Sequence, residues 1–182
     1  MPLRLCLLAY VLIVLTGCGL FDQRPLGVHQ FELGNEEGGQ KVWSASTARL
    51  PGKLILHTRQ QANNEWKLQF REYPSQTVHY PLQVTVSDRD CDVGHKVMIE
   101  YYPERRTSYI EYLETIIPWG EELRLSVIWN SDNNFTVSVN DAYFSGTFYD
   151  NFSAFSVVSH HGRQDIHLEY IASEGDQGTS QP

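Results

Sequence analysis

Disulfide-forming cysteine is scarce in this chain: three cysteines in 182 residues cannot build the dense framework that staples small secreted domains. Basic residues are also in deficit. Fourteen Lys and Arg stand against 22 Asp and Glu, a formal net charge of −8. That argues against a nucleic-acid partner, which needs a basic footprint, and against electrostatic docking on anionic lipid. Long apolar runs are missing too. The run from Leu5 to Leu15 is little more than half of the roughly 20 residues a helix needs to cross a bilayer. Beyond it, no window of about eleven residues carries apolar side chains at a helical period, so a helical domain is not expected. Catalytic signatures are equally thin. There is no Gly-x-Ser-x-Gly elbow, and nothing around Cys91 and His95 marks a nucleophilic arrangement.

What is present begins with Arg4, the apolar run to Leu15, and then Leu15-Thr16-Gly17-Cys18. A positive start, a short apolar core and small residues before a cleavage point make a secretory signal. The last four residues resemble the lipobox of bacterial lipoproteins. That resemblance implies a signal peptide over residues 1–17 and a Cys18 carrying several acyl chains, enough for firm anchoring. Gly19, rather than Asp, implies the outer membrane, with the remainder periplasmic or surface-exposed. Residues 18–40 then read as acylated Cys and tether, polar and Gly-rich at Gly34-Asn35-Glu36-Glu37-Gly38-Gly39. Phe21, Val28 and Phe31 offer material for a first strand at a soft boundary. Processing takes Cys6 and uses Cys18, so Cys91 alone remains and the fold must rest on burial. Four Trp, ten Tyr and eight Phe supply that burial.

From Lys41 the chain alternates. Trp66, Leu68 and Phe70 interleave with Glu65, Lys67, Gln69 and Arg71, and Leu123, Leu125, Val127 and Trp129 interleave with Glu122, Arg124, Ser126 and Ile128. Lys53-Leu54-Ile55-Leu56-His57 follows a Pro51-Gly52 turn signal, and the same period of two recurs at Leu82–Val86, Val97–Tyr101, Tyr109–Leu113 and Phe135–Val139, then at Phe155–Val157 and Ile166–Tyr170. Many short half-buried strands predict an all-β fold, an antiparallel β-sandwich, over residues 41–172. Residues 173–182 have nothing to bury and read as a disordered tail.

Within Trp119–Ala172, Pro118-Trp119-Gly120 opens one alternating strand, and Phe135-Thr136-Val137-Ser138-Val139-Asn140-Asp141 forms another with its turn. Phe155-Ser156-Val157 and Gly162-Arg163-Gln164-Asp165-Ile166-His167-Leu168 close the series. This stretch resembles the C-terminal half of concanavalin-like jelly rolls, galectins in particular. Such lectins read sugar through a His-x-Asn-x-Arg strand, absent here, and a Trp-Gly-x-Glu-x-Arg stretch. Trp119-Gly120-Glu121-Glu122-Leu123-Arg124 matches the second by letter, but at the start of the following strand. The resemblance implies a jelly roll and makes Trp119, Glu122, Arg124 and Asn140 candidate ligand-binding residues. Jelly-roll glycoside hydrolases carry a Glu-x-Asp-x-x-Glu strand, which this chain lacks.

Asp88-Arg89-Asp90-Cys91-Asp92-Val93-Gly94 resembles the opening of a calcium loop, making Asp88, Asp90 and Asp92 candidate ligands. Val93 and Ile99 fall where such a loop wants Gly and a bidentate Glu, so calcium is the one cofactor to look for and an acidic turn is the alternative. His160 and His161 point to opposite faces of any strand, against a shared metal with His167. The expectation is an outer-membrane lipoprotein with a non-catalytic domain that binds a glycan or a protein of the cell envelope. An inhibitor or immunity-type lipoprotein, blocking a periplasmic toxin or hydrolase through its acidic surface, is the alternative.

Overall fold

A computed structural model describes residues 27–35, 41–46, 51–71, 80–89, 91–149, 152 and 154–172. Cys18, the signal segment and the tail lie outside these residues. The strands are β1 (Gly27–Asn35), β2 (Lys41–Ser46), β3 (Gly52–Arg59), β4 (Glu65–Arg71), β5 (Leu82–Ser87) and β6 (Gly94–Glu104). They continue with β7 (Thr107–Pro118), β8 (Glu122–Trp129), β9 (Asn134–Val139), β10 (Ala142–Thr147) and β11 (Ala154–Ala172).

Every pairing is antiparallel. One sheet runs β10-β9-β8-β3-β11-β1 and the other β2-β11-β4-β5-β6-β7. The all-β sandwich expected from the alternation is therefore the fold. Its core lies between the inner rows, with Leu54, Leu56, Trp66, Leu68, Phe70, Val84, Leu125 and Val137 fully buried. At its centre Phe70 meets Phe152 at 4.8 Å and Trp129 at 5.6 Å between ring centroids.

Two elements depart from the sequence reading. Gly27–Asn35, within the stretch assigned to the tether, is strand β1, registered against Gly162–Tyr170. Phe31 packs on the core, so the sandwich starts before Lys41. The two closing strands are also one: β11 serves both sheets. Its first half pairs with β2 and β4, its second with β1 and β3. A bulge at Ser159–His161 and a left-handed Gly162 (φ 71°) make the crossing. Bulges turn strands in this way, and glycine tolerates the positive φ. A buried amide chain secures it: Gln164 donates to Thr58 and to the Arg59 carbonyl (2.7 Å), while Asn64 donates to Gln164 and to the Arg163 carbonyl (3.2 Å).

Candidate functional site

Sheet pairing assembles a surface that strand-by-strand alternation leaves invisible. Strands β4 to β7 form a meander, and their outward side chains fall into rows. One row crosses Ser156, Gln69, Gln83 and Glu100. The Gln69 amide donates to Gln83 (2.7 Å), Gln83 donates to Glu100 (3.3 Å), and the Tyr102 hydroxyl donates to the same carboxylate (3.4 Å). Gln69, Gln83, Thr85 and Ser156 are buried although they face outward, so this is not a flat solvated face.

The next two rows line a groove of about 930 Å³. Lys67, Thr85, Met98 and Tyr112 form one; Glu65, Ser87, Lys96 and Ile116 form the other. Glu65 is held in place: Ser87 Oγ donates to it at 3.1 Å, Lys67 Nζ lies 4.0 Å away and Arg89 Nη2 3.8 Å. On the far wall Tyr112, 64% exposed, and Ile116 stand out from β7 beside Met98. The groove thus has a charged side over β4–β6, and over β7 a side where Tyr112 and Ile116 flank Glu114. His160 borders the charged side. Burial lowers its pKa, Lys67 and Arg89 lower it further, and Glu65 opposes them.

The sequence-derived candidates fall elsewhere. Trp119, 43% exposed, sits in the turn that carries the chain from β7 to β8, three residues beyond Ile116. That turn is clamped by the Gly120 N–H on the Gln60 carbonyl (2.8 Å). Glu122 and Arg124 lie on the outer face of the other sheet, and Asn140 meets them from the turn between β9 and β10. Asn140 Oδ1 accepts the Arg124 N–H at 3.0 Å, and Glu122 lies 3.4 Å from His57 Nδ1. His57 in turn meets His167 edge-on at 6.2 Å, and His167 Nδ1 lies 2.9 Å from Gln30 Nε2.

Of the aspartates, Asp90 lies outside the described residues, Asp92 is exposed, and the Asp88 carboxylate accepts the Asn63 N–H while its carbonyl accepts from Cys91. Among the described residues no three His, Cys, Asp or Glu side chains converge as metal ligands. Sequence reasoning misses Lys67, Lys96, Met98 and Tyr112. The available signal is the mixed polar face of Glu65–Arg71, which reads as an ordinary solvated face until its neighbours in the sheet are known.

Behind the groove lies His95, fully buried, its Nε2 3.1 Å from the Asn64 carbonyl and its Nδ1 without a partner among the described residues. Burial lowers its pKa below the ordinary 6.5; the Asp88 charge and the Asn64 carbonyl oppose the shift without reversing it. The folded ring stays neutral at a pH where the unfolded one takes a proton. Stability from this group is therefore complete above about 6.5 and declines as pH falls from there toward the folded pKa. Thermal melts at pH 7.5 and 5.5 test it. His95→Gln should flatten the pH dependence of the melting temperature, and an unchanged slope would rule the assignment out.

No family model matches the chain, and no curated protein matches it in sequence. Solved structures match in shape. A tetrameric galectin from the ball sponge Cinachyrella sp. is 12% identical, covering 72% of this chain and 99% of its own, with a TM-score of 0.54. A homodimeric agglutinin from chicken liver is 8% identical over 71% and 99%, TM-score 0.52. The alginate lyase of Pseudomonas aeruginosa is 13% identical over 69% and 66%, TM-score 0.53. At these identities the likeness speaks for fold, and the chain has the antiparallel jelly-roll sandwich of these structures.

Proposed function

We propose that this is a non-catalytic glycan-binding lipoprotein, anchored through acylated Cys18 in the bacterial outer membrane, that holds its ligand in the groove of the β4–β7 face. The observation that carries the reading is the pairing, in one groove, of an exposed Tyr112 with a row of fixed polar groups on the facing strands. A sugar ring offers an apolar C–H face and a hydroxylated edge, and an aromatic wall opposite a polar wall suits both. The sandwich seen in a galectin and in an alginate lyase gives this reading a fitting scaffold. The scaffold by itself does not choose between binding and cleavage.

The full chain, purified in detergent, is applied to an array of envelope and matrix polysaccharides. Retention of at least one polymer is expected. Tyr112→Ala should weaken it about threefold to tenfold, the effect of losing one aromatic packing partner, while Tyr112→Phe keeps it. The absence of any retained polymer, or indifference to Tyr112→Ala, defeats the reading. A stoichiometric complex with one basic envelope protein, weakened by salt and insensitive to Tyr112, would favour the inhibitor class instead.

A further inference from the structure

Resting on that reading, we infer that the groove selects an acidic glycan, one whose sugars carry carboxylates, with Lys67, Arg89 and Lys96 receiving the carboxylate and Tyr112 the ring. Charge in the groove is the first ground. The lining has these three cations against the carboxylates of Glu65 and Glu114, in a chain where acidic residues outnumber basic ones 22 to 14. A local reversal of the protein's overall sign, inside a concavity, draws an anion from solution. Glu65 does not cancel it, since one carboxylate is shared by Lys67 and Arg89 at 4.0 and 3.8 Å, the outer limit of ion pairing. A ligand carboxylate entering there completes the set.

The second ground is what the neighbouring row lacks. Side-chain amides are the usual readers of neutral sugar hydroxyls. Here Gln69 and Gln83 are nearly buried and tied into a ladder that ends on Glu100. Beside the hydroxyls of Thr85, Ser87, Thr115 and Tyr112, the polar groups that line the groove are charged. From β4 to β7 the groove crosses three inter-strand steps, about 14 Å, which accommodates an oligomer rather than a single ring.

The test uses the full chain in detergent with two probes: a hexamer of 1,4-linked galacturonate, and the same hexamer with its carboxylates reduced to primary alcohols. Titration calorimetry should show the acidic hexamer binding at least tenfold more tightly, with affinity falling as salt rises. Arg89→Gln and Lys96→Gln, both at exposed positions, should each cost about tenfold against the acidic probe and little against the reduced one. Melting curves confirm that the variants fold. Equal affinity for the two hexamers, or tighter binding of the reduced one, overturns the acidic preference and leaves the glycan reading standing. Binding of neither hexamer, with no polymer retained on the array, removes both. Selective binding of sulfated polymers over carboxylated ones also overturns the assignment, since it would make the site a receptor for a different anion.

Discussion

Phe70→Ala is expected to lower unfolding free energy by about 3–5 kcal/mol, the range for removing a buried aromatic ring. Phe70 is fully buried on β4 and reaches across the sandwich to Trp129 of β8, with Phe152 and Phe155 at its sides. It is thus an inter-sheet contact and not merely a filler within one layer. The surrounding rings are large and sit at 4.8–6.2 Å; rigid aromatics cannot close a ring-sized void as flexible aliphatic side chains can. The only described cysteine, Cys91, is free, so no disulfide among the described residues limits the loss. Domain stabilities of about 5–15 kcal/mol leave little after such a change. Urea unfolding followed by Trp fluorescence would measure it. A shift below about 1 kcal/mol would mean that the two sheets are not held together through this cluster.

The difference between local and assembled information decides what the sequence can reveal. Alternation is a local property, and it identifies the strands around Trp66, Val84, Leu125 and Val137, whose inward side chains are all fully buried. The galectin-like pattern over Trp119–Ala172 adds the correct sandwich class. Pairing order is not local. Nothing in Lys67, Thr85, Met98 and Tyr112 taken singly says that they form one row, because they are brought together by register over three hairpins. The letter match at Trp119–Arg124 has the opposite character. Its residues are adjacent in sequence yet divided between a turn and the outer face of the second sheet. Strand β11 reads as two strands in the sequence because the alternation of Phe155–Val157 resumes only at Ile166. The bulge instead bends a continuous strand, and the Gln164–Asn64–Thr58 network holds the bend.

Gly94→Ala should damage both fold and binding, because its effect enters through the backbone. A Cβ at Gly94 would stand 2.3 Å from the Ile117 carbonyl oxygen and 2.9 Å from the Pro118 Cα, on the strand with which Gly94 is paired. No side chain can swing aside to relieve that contact, so β6 and β7 must separate. Strand β7 is the last in its sheet, held there by β6, and the separation begins at the end that carries Ile116. Overpacking of this kind costs about 1–3 kcal/mol, more where backbone must move. Amide exchange should quicken at residues 95–97 and 115–117, and glycan affinity should fall further than with Tyr112→Ala, since the whole β7 wall shifts. Gly120→Ala is the informative comparison. That glycine has a φ of 83° but open space where a Cβ would go, so its cost is conformational alone, about 1 kcal/mol. If the two variants lose equal stability and leave amide exchange along β7 unchanged, the steric account of Gly94 is wrong, and the wall of the groove does not depend on how closely β6 and β7 approach.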